Sequence, residues 1–140
     1  MHVETLPLPL PAEGLCASYA LSRIDKVLVV GLVGEASNRR ECLGIYRLVE
    51  QAIMLTHEIF LPSSVVFDFT ALRYESGDHM AQLIGNWGMP VAVVPSPGNE
   101  APLRSLISSE LQADPELWLF KSIESAVLAV TARSGEARAT

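Results

Sequence analysis

The 140-residue sequence is poor in cysteine, in aromatic residues and, over its middle half, in basic residues. Its two cysteines cannot build a disulfide framework, so we expect a fold that rests on a hydrophobic core in a reducing, cytoplasmic environment. Between residues 50 and 120 there are nine acidic residues and only two basic ones, Arg73 and Arg104. Nucleic acids and anionic membranes bind clustered Lys and Arg, so neither is an expected partner.

The sequence also lacks an apolar run of about 18 residues, which predicts that no helix inserts into a membrane. Prolines alternate with leucines from residue 6 to 11, which excludes the helical core of a signal peptide. Apolar residues are abundant, at 49% hydrophobic against 19% charged, and the net charge is −6. A chain of this size and composition can bury the core of one acidic domain.

Three regions follow from the pattern of residues along the chain. Residues 1–15 are predicted to form a Pro-rich N-terminal arm with polyproline II character, residues 16–132 one compact domain, and residues 133–140 a flexible C-terminal tail. Strands are expected at Ala17–Ser22, Lys26–Val33, Val65–Phe69, Pro90–Val94 and Trp118–Phe120. Helices are expected at about Asn38–His57, Ser76–Gly88, Ala101–Leu111 and from Ser122 onwards.

This alternation predicts an α/β domain with a mixed, mainly parallel sheet of four or five strands and about four helices. The first strand is expected to pair antiparallel with the second. Asn38 is predicted to cap the first helix, with Glu41 three residues on, and Ser76 to cap the second. Ligands and partners of open α/β sheets meet the carboxyl ends of the strands, which are here Gly34–Ser37, Thr70–Gly77 and Pro95–Asn99.

Three local patterns resemble the STAS domain, the fold of anti-sigma-factor antagonists. The first is the strand that reads Val-Val-Phe-Asp-Phe-Thr at residues 65–70, and the second is the segment Tyr-Glu-Ser-Gly-Asp at residues 74–78 with the helix after it. The third is the succession of helix, short strand and closing helix from Leu103 to Val130. The resemblance covers residues 17–131 and implies a non-enzymatic bacterial regulatory module without cofactor, metal or catalytic residue.

The resemblance also implies a phosphorylation site. In anti-sigma-factor antagonists a Ser or Thr immediately before the glycine of this loop is phosphorylated by a partner kinase, and the matching residue here is Ser76. Phosphate adds about −1.5 to −2 charge, enough to switch a docking surface. The sequence departs from the motif at Tyr74 and Glu75, where the family has Asp and Ser. Glu75 and Asp78 place negative charge on both sides of Ser76 and would repel a phosphoryl group.

We therefore expect a protein partner, kinase-like or anti-sigma-like, and a possible homodimer formed through the arm or an edge strand. Leu72 and Met80 are expected to be exposed apolar residues of that surface. The predicted partner-binding residues are Thr70, Tyr74, Glu75, Ser76, Gly77, Asp78, Met80, Ser96 and Asn99.

Two alternatives from other classes remain open. One is a domain that binds a small molecule or nucleotide, or a weak hydrolase, using Asp68, Asp78 and His79. The other is a structural homo-oligomer in which Ser76 is never modified. Gly31–Ser37 invites interpretation as a phosphate-binding loop but lacks a P-loop's lysine, and Asp68 is expected to stabilise the turn after its strand.

Four further residues have structural interpretations. Cys42 is expected to be a buried small hydrophobe, because it lies on the apolar stripe of its helix. Tyr46 and Trp87 are expected to be core or interface aromatics. Arg39 opens a helix, where the dipole disfavours positive charge, and is expected to be solvated or to contact an acidic group.

Overall fold

The computed structural model describes residues 2–6, 17–36 and 38–139. Its strands are β1 (Glu4–Thr5), β2 (Ala17–Ile24), β3 (Val27–Glu35), β4 (Ser64–Arg73) and β5 (Val91–Val94). Its helices are α1 (Arg39–Thr56), α2 (His79–Gly85), α3 (Glu100–Ser109) and α4 (Ile123–Ala139), with a 3-10 turn at Pro115–Leu117. Among these residues no helix is both long enough and apolar enough to cross a bilayer.

The five strands form one mixed sheet in the order β1-β2-β3-β4-β5. The pairs β1–β2 and β2–β3 are antiparallel, whereas β3–β4 and β4–β5 are parallel. A tight turn at Asp25, with φ of 53°, joins β2 directly to β3, while α1 and α2 provide the crossovers that parallel pairing requires. The predicted α/β class, mixed sheet and antiparallel first pair are confirmed. Parallel pairings do not predominate among the described strands.

Helices cover both faces of the sheet and divide the core into two clusters. The larger cluster lies between the sheet and helices α1, α2 and α3, and the smaller lies under α4. Successive residues of β3 alternate between the two, so that Leu28 and Val30 enter the larger cluster and Val27 and Val29 the smaller. The apolar run in β3 is therefore buried on both faces, as predicted, except at Val33, which is 56% exposed.

Helix α1 begins where the sequence predicts. The Oδ1 atom of Asn38 accepts a hydrogen bond from the main-chain N–H of Glu41 at 2.9 Å. Cys42 faces the core and is 4% exposed, in agreement with its prediction as a buried hydrophobe. Tyr46 and Trp87 stack with their ring centroids 4.8 Å apart and pack against the core, which confirms their prediction as core aromatics.

The largest differences from the sequence predictions lie at the ends of elements. Strand β4 extends to Arg73, so residues 71–73 are strand and not loop. Residues 118–120, predicted as a strand, make a single bridge between Leu119 and Val93. Helix α4 continues to Ala139, although residues 133–140 were predicted as a tail; the guanidinium of Arg133 donates to the carbonyl of Val91 at 3.1 Å and attaches this part of the helix to the sheet.

Two other predictions fall at the edge of the fold. Glu4 and Thr5, in the predicted arm, pair with Arg23 and Ser22 of β2, whereas residues 7–16 of the arm lie outside the described residues. The proposed phosphate-binding loop is wrong, because residues 31–35 belong to β3 and are held by pairing with β4.

Candidate functional site

Two segments lie side by side at the carboxyl ends of neighbouring parallel strands. The β4–α2 loop, residues 74–78, follows β4, and the β5–α3 turn, residues 95–99, follows β5. Because β4 and β5 are paired, their continuations lie at the same edge of the sheet. This is the edge at which the sequence predicts a functional surface.

A bulge in β4 determines which side chains of the loop point inwards. Gly31 pairs with Asp68 and Val33 with Ala71, so β4 has one more residue than β3 across this interval. The Oδ1 atom of Asp68 accepts hydrogen bonds from the N–H of Thr70 at 3.1 Å and from its hydroxyl at 2.7 Å. Asp68 therefore stabilises a local Asx arrangement, as expected, but within the strand and not in a following turn.

Asn99 ties the turn to the bulge. It is 1% exposed, and its Nδ2 atom donates to the carbonyl oxygens of Phe69 at 2.9 Å and Leu72 at 2.8 Å. Its Oδ1 atom accepts from the N–H of Ser96 at 2.8 Å, and the Ser96 hydroxyl accepts from the N–H of Asn99 at 3.2 Å. The bulge leaves two carbonyl oxygens directed at Asn99, and its amide group satisfies both of them.

Tyr74 holds the β4–α2 loop from inside. After the bulge its side chain faces the larger core cluster and is 2% exposed. Its hydroxyl donates to the carbonyl oxygen of Gly77 at 2.8 Å. Burial raises the pKa of Tyr74 to about 12, so the phenol keeps the proton that this bond requires. Gly77 has φ of 117°, in the left-handed region that favours glycine.

Glu75, Ser76, Gly77 and Asp78 lie between these anchors and are exposed. Helix α2 begins at His79, with Asp78 at the N-cap position and no capping bond from its side chain. Ser76 is therefore not the cap of α2, because the positive φ of Gly77 interrupts the chain before helical geometry starts. Its hydroxyl lies on the surface, where a modifying enzyme can reach it.

Four residues expected at the contact surface are buried. Leu72 and Met80 are 3% and 0% exposed, because they contribute to the larger core cluster. Tyr74 and Asn99 are buried anchors and cannot contact a partner in this arrangement. Among the predicted contact residues, the exposed or half-buried ones are Thr70, Glu75, Ser76, Gly77, Asp78 and Ser96.

A shallow acidic groove of about 170 Å³ separates the β4–α2 loop from α3. Its charged lining residues are Glu75, Asp78 and Glu110, and no Lys or Arg lines it within the described part of the chain. The nearby Arg73 forms an ion pair with Glu75 at 3.0 Å. The polar residues of α3 in this groove were missed by sequence reasoning, although the polar face of that helix could have indicated them.

The residues of the proposed hydrolase or ligand site are not brought together. Asp68 is engaged with Thr70 on the sheet, Asp78 lines the acidic groove, and His79 lines a different cavity between α1 and α2. Throughout residues 2–6, 17–36 and 38–139 there is no group of three metal-ligating side chains. The alternative that used these three residues as one site is therefore wrong.

Comparison with known proteins places this architecture. No protein-family model matches the sequence. No curated protein matches it either. Solved structures do match. An anti-sigma factor antagonist from Mycobacterium paratuberculosis superposes with a TM-score of 0.57 at 21% identity, over 82% of this chain and 94% of the other. The unphosphorylated anti-sigma factor antagonist SpoIIAA superposes with a TM-score of 0.55 at 15% identity, over 82% and 97%.

Phosphorylated SpoIIAA, a Bacillus cell fate determinant, gives a TM-score of 0.50 at 14% identity, over 79% of this chain and 96% of the other. The overlaps cover nearly the whole of each solved chain, so the similarity is that of a complete domain. The chain has the STAS fold of the anti-sigma factor antagonists, as the sequence resemblance predicts.

Proposed function

We propose that this protein is a non-enzymatic bacterial regulatory module that binds a protein partner. Its partner surface is formed by the exposed residues Thr70, Glu75, Ser76, Gly77, Asp78 and Ser96. The observation that carries this proposal is a solvent-facing loop held at both ends by buried hydrogen bonds, from Tyr74 to Gly77 and from Asn99 to Leu72. A loop fixed in this way reduces the entropy that is lost when a partner binds.

The same surface supports Ser76 as a phosphorylation site. The Ser76 side chain is exposed and borders the acidic groove, and the nearest described cation, on Arg73, is already paired with Glu75. A phosphate at Ser76 would add charge to a surface with no unpaired base to neutralise it. We expect phosphorylation to weaken binding to a partner that tolerates the unmodified acidic surface.

The fold shared with anti-sigma factor antagonists favours a kinase-like or anti-sigma-like protein in the cytoplasm as the partner. A homodimer is a further part of the proposal. The edge strand β1 pairs over only two residues with β2, which leaves the outer edge of the sheet short of covering strands. A second copy of the chain has room to pair there without covering the β4–α2 loop.

The experiment that tests the proposal is capture of the partner with tagged wild-type protein, followed by calorimetric titration of the purified pair. We expect a one-to-one complex that Ser76→Asp weakens by about tenfold, because the new carboxylate lies among like charges. Ser108→Asp is the matched control, since Ser108 is exposed on α3 but does not line the acidic groove. Equal affinities for wild type and both variants would contradict the proposed surface.

Phosphorylation is tested separately by intact-mass analysis of protein isolated from its native cells. We expect a species heavier by one phosphate, which phosphatase removes and which Ser76→Ala does not form. A phosphate on another residue would exclude Ser76 as the acceptor. The partner surface would remain to be judged by the affinity measurements.

A further inference from the structure

A second cavity, of about 160 Å³, lies between α1 and α2 and is separate from the acidic groove. Cavities of about 150 Å³ are large enough for a ligand of the size of benzene. The residues that line it share one face of each helix: Arg39, Cys42, Leu43 and Tyr46 of α1, and His79, Gln82 and Leu83 of α2. None of the lining residues is acidic, although the protein has a net charge of −6.

The polar groups around this cavity are hydrogen-bond donors. Arg39 contributes a guanidinium, which has no acceptor function, and Gln82 contributes an amide. The hydroxyl oxygen of Tyr46 accepts from Asn86 at 2.9 Å, so its own proton is directed elsewhere. Stacking against Trp87 fixes the Tyr46 ring, so the hydroxyl keeps its position at the cavity.

The thiol at the cavity wall adds no negative charge. Burial raises the pKa of Cys42 to about 11, and the neighbouring Glu41 contributes to the increase. The thiol therefore stays protonated at neutral pH and contacts the carbonyl oxygen of Ala36 at 3.7 Å. Glu41 is the one nearby carboxylate that opposes an anion, and it does not line the cavity.

Arg39 is placed where its own helix disfavours it. It occupies the first position of α1, at the positive end of an 18-residue helix, next to Arg40. Within the described residues Arg39 forms no ion pair, whereas Arg73 and Arg104 are both paired with glutamates. A bound negative group would compensate this unfavourable accumulation of positive charge.

We propose that the α1–α2 cavity binds a small oxyanion, either a phosphate or a carboxylate group. Arg39 forms the charge-assisted contact, and Tyr46 and Gln82 donate hydrogen bonds from the opposite helix faces. His79 adds a third donor at the mouth. The site does not depend on the proposed partner surface, because Ser76 and Glu75 are not among its lining residues.

The test is a nuclear magnetic resonance titration of the full chain with inorganic phosphate and, separately, with acetate, at constant pH and ionic strength. We expect saturable shifts confined to Arg39, Tyr46 and Gln82. Saturation by phosphate alone supports a free phosphate-type ligand, and saturation by both anions supports a site that also accepts an acidic side chain. Shifts that rise linearly and do not saturate with either anion would overturn the proposal.

Arg39→Gln and Arg40→Gln form a matched pair, because the two arginines are adjacent and exposed but only Arg39 lines the cavity. Arg39→Gln is expected to weaken phosphate binding by about tenfold, the loss of a charge-assisted contact. Arg40→Gln is expected to retain it within about twofold. Equal weakening by both substitutions would mean general charge attraction and would contradict a defined site. Ser76→Asp is expected to leave phosphate binding unchanged, so failure of this site and failure of the partner surface are distinguishable.

Discussion

The side-chain amide of Asn99 donates to the main-chain carbonyl oxygen of Leu72 at 2.8 Å, across 27 residues of sequence. This bond and its companion to Phe69 connect the turn after β5 to the bulge of β4. The two segments that form the proposed partner surface are consequently one unit, and the surface depends on a residue that no partner can reach.

Asn99→Ala is expected to lower the free energy of unfolding by about 3 kcal/mol, because two buried carbonyl oxygens lose their donors. Urea denaturation measures this loss. Asn86→Ala is the control, since Asn86 is exposed and its bond is to the Tyr46 hydroxyl. Its cost should stay within about 0.5 kcal/mol. Similar costs for the two variants would show that Asn99 does not anchor the turn.

Tyr74→Phe removes one hydrogen bond while keeping the ring in the core, so a loss of about 1 kcal/mol is expected. Amide hydrogen exchange in residues 75–78 should become faster, because the carbonyl of Gly77 loses its donor. Exchange in α1 provides the internal reference. Unchanged exchange in the loop would mean that the Tyr74–Gly77 bond does not order it.

The stability of the wild-type protein should fall in alkaline solution. The pKa of Tyr74 is raised from 10.0 to about 12 in the folded state, so the unfolded chain loses this proton first. The contribution of Tyr74 is therefore fully present below pH 10 and is lost as the pH rises towards 12. Cys42 acts in the same direction between pH 9 and about 11. Urea midpoints measured against pH should decline less steeply for Tyr74→Phe; parallel curves would contradict the assignment.

Asn38→Ala and Ser76→Ala separate a true helix cap from an exposed loop serine. Asn38 accepts from the N–H of Glu41, and its replacement is expected to cost about 1 kcal/mol. Ser76→Ala should remain within about 0.5 kcal/mol of wild type, because α2 starts three residues later. Thermal unfolding compares them directly. A loss for Ser76→Ala equal to that for Asn38→Ala would restore Ser76 as a cap.

Gly77→Ala is expected to cost about 1 to 2 kcal/mol, since φ at this position is 117° and an L-residue is strained there. Gly98→Ala is the matched change in the neighbouring turn. Gly98 does not have a positive φ, and an added Cβ would meet only the Ser96 hydroxyl, at 3.7 Å. It should be nearly neutral. Chemical denaturation of the two variants decides between backbone strain and a general intolerance of side chains in these loops.

The sequence predicts the interior of this fold better than its connections. The apolar run of β3 and the Asn38 cap are local signals, because each depends on residues close together in the chain. The end of β4 is not local. It depends on pairing with residues 33–35 of β3, which no pattern inside residues 71–73 reveals.

The same distinction explains the errors at the candidate site. Simple alternation along β4 cannot show that Leu72 and Tyr74 face inwards, because the bulge shifts the alternation by one residue. The burial of Asn99 depends on two carbonyl groups 27 and 30 residues away. Glu75, Ser76 and Asp78 were placed correctly on the surface because a polar run next to a glycine is exposed in most folds.

The extra residue in β4 makes the length of this strand as important as its composition. Removing Thr70 would act on the following segment as a frameshift acts on a message: every later side chain would exchange its inward or outward position. Tyr74 would then face solvent and Glu75 would face the core. Related sequences can therefore vary freely in residue type on the outer face here, but a single deletion between Asp68 and Leu72 would abolish the loop.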